Sequence, residues 1–308
     1  MYWVVNPTRR SVLTGLTIAP FLQAASRRIR LGGPVFLQSD DPEDLAREHR
    51  RLGYSAATCP KATAEDSVRT RAIEKAFAGQ DVVIAEVGAW VNMLDPDAEK
   101  RKTNLKYVTD RLALAVAVAA RCCVDIAGSF NPTVWYGMHA KNYTRDAFDA
   151  TVENCRNVID AIKPTRTKFS IEMQVGLQPK GVDGYVQLIK AVDRKTFGVH
   201  LDVCNGIDSP EKFYNNGAHI QECFRKLGPW VLSCHAKDLA WVPDGYNVHF
   251  AEVIPGRGEM DYRAYLGELA KMPVETPLLL EHLKGAEQYE EGKRHILKVG
   301  GDLGLTFA

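Results

Sequence analysis

Residues 168–202 read KFSIEMQVGLQPKGVDGYVQLIKAVDRKTFGVHLD. Two short apolar runs, Lys168–Glu172 and Phe197–Asp202, flank a stretch with helical spacing from about Val182 to Val192. Runs of this length rich in Phe, Val and Ile read as buried strands, and the period between them reads as an amphipathic helix. Strand, crossover helix and second strand predict a parallel βαβ unit. Each apolar run also ends in a carboxylate, Glu172 and Asp202.

The same rhythm continues on both sides. Toward the C-terminus, Trp230–His235 and Pro277–Glu281 read as strands, with helices from Ser209 to Leu227, from Tyr262 to Lys271 and through to about Val299. Toward the N-terminus, strands are expected over Ile29–Phe36, Tyr54–Cys59, Asp81–Val87 and Cys123–Ala127. Helices are expected from Asp41 to near Gly53, and over Asp66–Phe77, Glu99–Ala120 and Arg145–Ile162. Eight strand–helix units with no linker or shift in composition predict one α/β domain over residues 27–308, a (β/α)8 TIM barrel. An open doubly wound sheet lacks support, because no GxGxxG follows a strand and opens a helix.

Residues 1–26 read differently. Thr8-Arg9-Arg10-Ser11-Val12-Leu13 resembles a twin-arginine export signal, followed by an apolar stretch to Pro20 and the small-residue exit Ala24-Ala25-Ser26. That stretch is shorter than the roughly 20 residues a membrane-spanning helix needs. The expectation is export to the periplasm or beyond; without it, the segment is an N-terminal extension of a cytoplasmic protein.

The formal net charge of the 308 residues is +1 with no basic run, which argues against nucleic acid as a partner. The seven cysteines are odd in number and include no CxxC, so free thiols are expected rather than disulfides or a thiolate zinc site.

The chemistry lies at the ends of the last four strands. Glu172, Asp202, His235 and Glu281 each close an apolar run, and the C-terminal ends of barrel strands ring one mouth. Three carboxylates gathered there need a cation to balance them. Three oxygens and one nitrogen suit one six-coordinate ion such as Mn²⁺, Mg²⁺ or Co²⁺ better than structural zinc. Such an ion keeps about two positions for water or neighbouring substrate oxygens.

With His235-Ala236-Lys237-Asp238 and Pro255-Gly256-Arg257-Gly258-Glu259, this ordered series resembles the xylose-isomerase-like sugar isomerase/epimerase superfamily from Arg28 to the C-terminus. The resemblance implies a metal-dependent barrel acting on sugars, sugar acids or inositols. It further implies that Glu172 and Glu281 exchange a proton from opposite faces of the substrate, as in ketose 3-epimerases. Those enzymes carry a histidine three residues after the aspartate; this chain has Asn205 there, a departure from simple ketose epimerisation. More narrowly, Arg30–Val35, Asn131–Asn142 and the HAKD segment are similar to α subunits of C-glycoside deglycosidases. That resemblance implies lyase chemistry on a 3-keto-glycoside, a small partner subunit and His139 as the base.

Both resemblances imply proton abstraction next to a carbonyl. The residues expected to carry it are Glu172, Glu281, His139 and Lys237, the lysine reaching a substrate oxygen or Asp238. Arg257, Glu86 and Trp135 are the expected substrate contacts, His200 is expected either to join them or to support the ligands from behind, and Trp90 stands beside them with His249 and His282 structural. A homo-oligomer acting on a small sugar or glycoside is the expected form. An apurinic-endonuclease-like hydrolase and a non-catalytic sugar-binding barrel are the other readings.

Overall fold

Where the chain leaves Arg28, a parallel sheet begins almost at once. A computed structural model describes residues 28–243, 247–272 and 275–308; the twin-arginine stretch and the boundary after residue 26 lie outside the described residues. In chain order the elements are β1 (Arg30–Gly32), α1 (Pro42–Arg51), β2 (Ala56–Thr58), α2 (Ser67–Gly79), β3 (Val83–Gly88) and α3 (Ala98–Ala117). Then follow β4 (Cys122–Asp125), α4 (Arg145–Ile162), β5 (Lys168–Glu172), α5 (Gly181–Val192), β6 (Phe197–Asp202), α6 (Pro210–Tyr214) and α7 (Asn216–Leu227). The chain ends with β7 (Val231–Ala236), β8 (Asp238–Trp241), β9 (Phe250–Val253), α8 (Tyr262–Leu269), β10 (Pro277–Leu280) and α9 (Gly285–Asp302).

Eight strands close a parallel barrel in the order β1-β10-β7-β6-β5-β4-β3-β2, as the alternating rhythm predicts. Closure depends on a close approach at Gly32, whose neighbour across β1 and β2 is Ala56. A β-carbon on Gly32 would stand 2.3 Å from the Ala56 carbonyl oxygen, so only glycine fits there. At the bottom, Arg30 ties β1 to the segments that lead into β10 and β3, pairing with Glu275 at 2.7 Å and Asp81 at 2.9 Å.

Helix starts follow their sequence signals. The Asp41 carboxylate accepts from the backbone N–H groups of Glu43 and Asp44 just ahead of Pro42, Asp97 caps α3, and Thr144 caps α4. Apolar strand residues such as Phe169, Val199 and Leu278 pack outward into the helix layer as one core with Leu112, Val158 and Leu266. The other strand face points inward and is polar toward the top: Ser170 and Glu172, His200 and Asp202, Ser233 and His235 alternate with apolar neighbours and are all buried.

Two differences from the sequence reading bear on the site. The segment after Ser209 is two helices, α6 and α7, broken at Asn215, where α6 ends and α7 begins. The segment read as a long loop before Tyr262 holds an antiparallel hairpin, β8 paired with β9, standing off the top of β7. Strands β1 and β2 are also shorter than expected, at three residues each, while Cys122 joins β4. Among the described residues no helix is long and apolar enough to cross a membrane. The seven cysteines are all free, and six of them are buried.

Candidate metal centre and its cavity

Register fixes the ring. Glu172 on β5 lies beside His200 on β6, and Asp202 lies beside His235 on β7. A register shift between Val199 and His200 sets that second pairing. Glu281 follows directly on β10, so the ends of four neighbouring strands deliver their side chains to one place. One ligand-capable atom from each of Glu172, Asp202, His235 and Glu281 lies within 4.8 Å of every other.

His235 Nδ1 is the hub. It lies 2.8 Å from Glu172 Oε1, 3.0 Å from Glu281 Oε2 and 3.8 Å from Asp202 Oδ2. Lys237, two residues after His235 and just past the end of β7, reaches the same side, 3.0 Å from Asp202 Oδ2 and 2.8 Å from Glu281 Oε2. It pairs with these carboxylates and with Glu252 at 3.4 Å, and not with Asp238, the second of the two partners expected for it. Asp238 is occupied elsewhere, accepting backbone N–H bonds from Leu239, Gly256, Gly258 and Met260 and so folding the Pro-Gly-Arg-Gly loop.

Whether this ring fits a divalent ion is tested by its oxygens. Asp202 Oδ2 and Glu281 Oε2 are buried and, despite nearby cations, accept no well-aligned hydrogen bond. Asp202 Oδ1, by contrast, is held by the backbone N–H groups of Cys204 and Asn205 at 3.0 and 3.1 Å. Each of these carboxylates thus turns an oxygen to the common centre that is paired by charge alone. With three hard oxygens and an imidazole, the donor set fits an ion such as Mn²⁺ or Mg²⁺.

Charge in the ring is strongly coupled. Burial opposes a proton on His235, but Glu281, Glu86 and Glu172 crowd it and hold its pKa well above the ordinary value. Burial would raise Glu281, yet His235 and Lys237 bring it down to about 2. Glu172 goes the other way: burial raises it, more than His235 lowers it.

Beneath the ring lies a second buried layer. His235 Nε2 faces Glu86 Oε1 at 3.5 Å, and the other Glu86 oxygen lies 2.7 Å from His200 Nε2. The imidazoles of His200 and His235 stand edge to face at 4.1 Å. Glu86 and His200 are therefore buried under the ring and do not line the cavity as substrate contacts; they orient the histidine of the ring.

Above the ring opens a cavity of about 590 Å³. Its floor carries Glu172, Glu281 and Lys237, its far wall Trp90, Ile126, Trp135 and Tyr136, and its rim Glu252 and His282. Trp90 sits at φ +45° with its ring 6.2 Å from that of His235. Gly88 makes room for it, since a β-carbon there would fall 2.1 Å from the indole nitrogen.

The remaining expected residues lie farther out. Trp135 lines the cavity. His139 caps a short 3-10 turn by accepting the Lys141 N–H at 3.2 Å and is outside the cavity lining. Arg257 borders an adjoining cavity of about 250 Å³ but commits its guanidinium to Glu291 at 2.6 and 2.8 Å. Sequence reasoning missed Glu252 and treated His282 as structural. The run Phe250-Ala251-Glu252-Val253 shows no alternation of apolar and polar residues, so the sequence carried no signal for β9.

A closed parallel barrel with a cluster of metal-capable side chains at its C-terminal mouth defines a recognisable class of protein. The chain belongs to the xylose isomerase-like TIM barrel family, whose profile matches residues 46–299. Solved structures share the fold at low identity. Endonuclease IV from Thermus thermophilus is 15% identical with a TM-score of 0.65, covering 89% of this chain and 99% of that one. The 3-keto-D-glucoside 4-epimerase from E. coli is 13% identical with a TM-score of 0.61, covering 88% and 100%. A xylose isomerase-like TIM barrel protein from Mycobacterium smegmatis, solved in complex with magnesium, is 18% identical with a TM-score of 0.59, covering 83% and 87%. No curated protein matches the chain in sequence.

Proposed function

We propose that the protein is a divalent-metal-dependent isomerase or epimerase that removes a proton from the carbon next to a carbonyl in a sugar-like substrate. The observation that carries this reading is the placement of Glu172 and Glu281, each in the ligand ring and each lining the cavity. Glu172, Asp202, His235 and Glu281 would hold one ion, Mn²⁺ or otherwise Mg²⁺ or Co²⁺. When bound, the ion supplies positive charge that stabilises an oxyanion developing on the substrate.

The chain's own groups do the rest. A glutamate oxygen turned to the cavity takes the carbon-bound proton as its electron pair moves toward the carbonyl oxygen. Return of the proton to the neighbouring carbon is isomerisation; return from the opposite side is epimerisation. Lys237, held by Asp202 and Glu281, keeps a positive charge beside the same oxygens. Trp90, Trp135 and Tyr136 exclude water from one side and offer flat apolar surface to a sugar ring.

A second reading, lyase chemistry on a 3-keto-glycoside, is favoured by that aromatic wall, which has area for an aglycone. The fold likeness to a 3-keto-D-glucoside 4-epimerase is in keeping with a 3-keto sugar as substrate, though with epimerisation rather than with lyase chemistry. A nucleic-acid hydrolase is supported by fold likeness alone, against a net charge of +1 and a ring of acids.

The test is solvent exchange followed by NMR. Protein loaded with Mn²⁺ or Mg²⁺ is incubated in D2O with ketoses, inosose and 3-keto-glycosides. Deuterium entering next to the carbonyl is expected, and the product separates isomerase, epimerase and lyase. Bound metal and sugar with no exchange on any substrate would defeat the reading in favour of a binding barrel. Glu281→Gln is expected to lose both metal and exchange. The Arg9–Arg10 stretch supports export, which cell fractionation of the full chain and its Arg9→Lys, Arg10→Lys variant would test.

A further inference from the structure

The residue after Glu281 departs from strand geometry in a way that returns its side chain to the site. In an extended strand, neighbouring side chains point to opposite faces. His282 instead has φ +58°, in the left-handed region that residues with a β-carbon rarely adopt. The turn brings its imidazole back to the mouth, so that Glu281 and His282 line the same two cavities.

There the ring lies between two carboxylates. Its Nδ1 is 2.8 Å from Glu252 Oε2, and its Nε2 is 3.5 Å from Glu281 Oε1. Glu252 comes from β9 in the hairpin, and its other oxygen lies 3.4 Å from Lys237 Nζ. The two oxygens of Glu281 thus have separate surroundings. Oε2 faces His235 and Lys237 in the ligand ring, whereas Oε1 faces His282 at the cavity edge.

Resting on the enolisation reading, we propose that His282 and Glu252 form a clamp that keeps Oε1 of Glu281 out of the ligand ring, so that Glu281 gives the ion one oxygen and the substrate the other. A carboxylate that chelates through both oxygens has neither free to accept a proton, whereas a divided one can both hold the ion and act as base. The strained backbone at His282 is consistent with this, because an unstrained extension of β10 would carry the imidazole to the opposite face. The hairpin contributes the anchoring carboxylate, which links it to the chemistry without a ligand atom of its own. His282 and Glu252 are positioning residues in this scheme, and Glu281 is the group that meets the substrate.

The test uses full-length Mn²⁺-loaded protein and two readouts. Water-proton relaxation counts the exchangeable waters on the bound ion, and NMR follows deuterium entry into the substrate. His282→Asn keeps a residue tolerant of left-handed backbone but cannot bridge both carboxylates. It is expected to reduce the count by about one as Oε1 swings onto the ion, and to slow exchange about tenfold or more at little-changed KM. Glu252→Gln, which leaves the imidazole in place without its anionic anchor, is expected to do the same to a smaller degree and guards against misfolding of the first variant. An unchanged water count in both folded variants overturns the clamp, whatever happens to turnover. Absence of exchange in the wild-type protein defeats the enolisation reading instead, and the water count still decides the clamp.

Discussion

Oε2 of Glu86 and Nε2 of His200 lie 2.7 Å apart, both buried under the ligand ring. The other Glu86 oxygen faces the Nε2 of His235, so the carboxylate orients the ring's one imidazole with Nδ1 toward the three acids. Carboxylate partners of metal-binding histidines typically account for about 10- to 100-fold in metal affinity. Glu86→Gln, of equal size, is therefore expected to weaken Mn²⁺ binding within that range while leaving the circular dichroism spectrum unchanged. Isothermal titration would check it, and equal affinity in the variant would show that Glu86 serves the fold alone.

The pH dependence of ion binding follows from His235. Its pKa is raised, so the metal-free protein carries a proton there that an ion must displace. Affinity is expected to fall as pH decreases, with the fall beginning above the ordinary histidine value of about 6.5. Titrations in two buffers of different ionisation enthalpy should reveal about one proton released per ion. The same proton stabilises the metal-free fold. A raised folded pKa gives stability that is complete below the unfolded value and is lost as pH rises through the folded one. Melting of metal-free protein is thus expected to weaken from neutral to alkaline pH, and saturating Mn²⁺ should remove that trend.

Lys237 is the charge that steadies the ring before an ion arrives. It is buried against Asp202 and Glu281, and those two carboxylates raise its pKa despite the opposing effect of burial. Removing one partner of a buried ion pair costs about 3–5 kcal/mol, because the other charges stay buried and uncompensated. Lys237→Met should destabilise metal-free protein by about that amount in urea unfolding. Mn²⁺ should recover part of the loss, since the ion neutralises the same oxygens. A variant as stable as wild type without metal would mean that Asp202 and Glu281 are protonated there.

What was legible in the sequence follows the range of the forces involved. Glu172, Asp202, His235 and Glu281 stood out because each ends an apolar run, and barrel geometry alone gathers consecutive strand ends. The helix over Arg145–Ile162 was read to the residue, and the structure shows Thr144 capping its start. Glu252 and His282 were not, because their roles depend on a hairpin folding back and on one left-handed residue, neither of which leaves a periodic trace. Lys237 was expected to reach a substrate oxygen or Asp238, and the second of these does not hold. Adjacent residues on a strand face apart, and the loop from Gly256 to Met260 takes up that carboxylate instead. Glu86 was read as a substrate contact, and His200 as either that or a support behind the ligands, because inward direction is legible while depth in the barrel is not.

The Trp135–Tyr136 part of the cavity wall is fastened by a buried amide, Asn142. Asn142 donates to Ser129 Oγ, Gly137 O and Gly176 O at 3.0, 3.1 and 3.2 Å, and its own oxygen accepts the Phe130 N–H at 3.0 Å. These bonds close the loop that carries Trp135 and Tyr136, whose rings meet edge to face at 5.3 Å and are partly exposed. Exposed aromatic rings on a loop fastened from beneath form a preset binding wall and lose little freedom when a ligand arrives. Asn142→Ala removes those bonds and strands the half-buried Phe130 N–H and Gly176 carbonyl, at up to about 1–3 kcal/mol each, while the Gly137 carbonyl keeps the Ser129 hydroxyl. The variant should melt at lower temperature and be cut by protease near Trp135 faster than wild type. Its KM for the exchanging substrate should rise well beyond any change in kcat, because Glu172 and Glu281 sit on strands the loop does not support. Asn142→Asp separates the two contributions: it keeps the acceptor for Phe130 but sets an oxygen against the Gly137 and Gly176 carbonyls. It should therefore be no better than alanine, and rescue by aspartate would show that the Phe130 bond alone holds the loop.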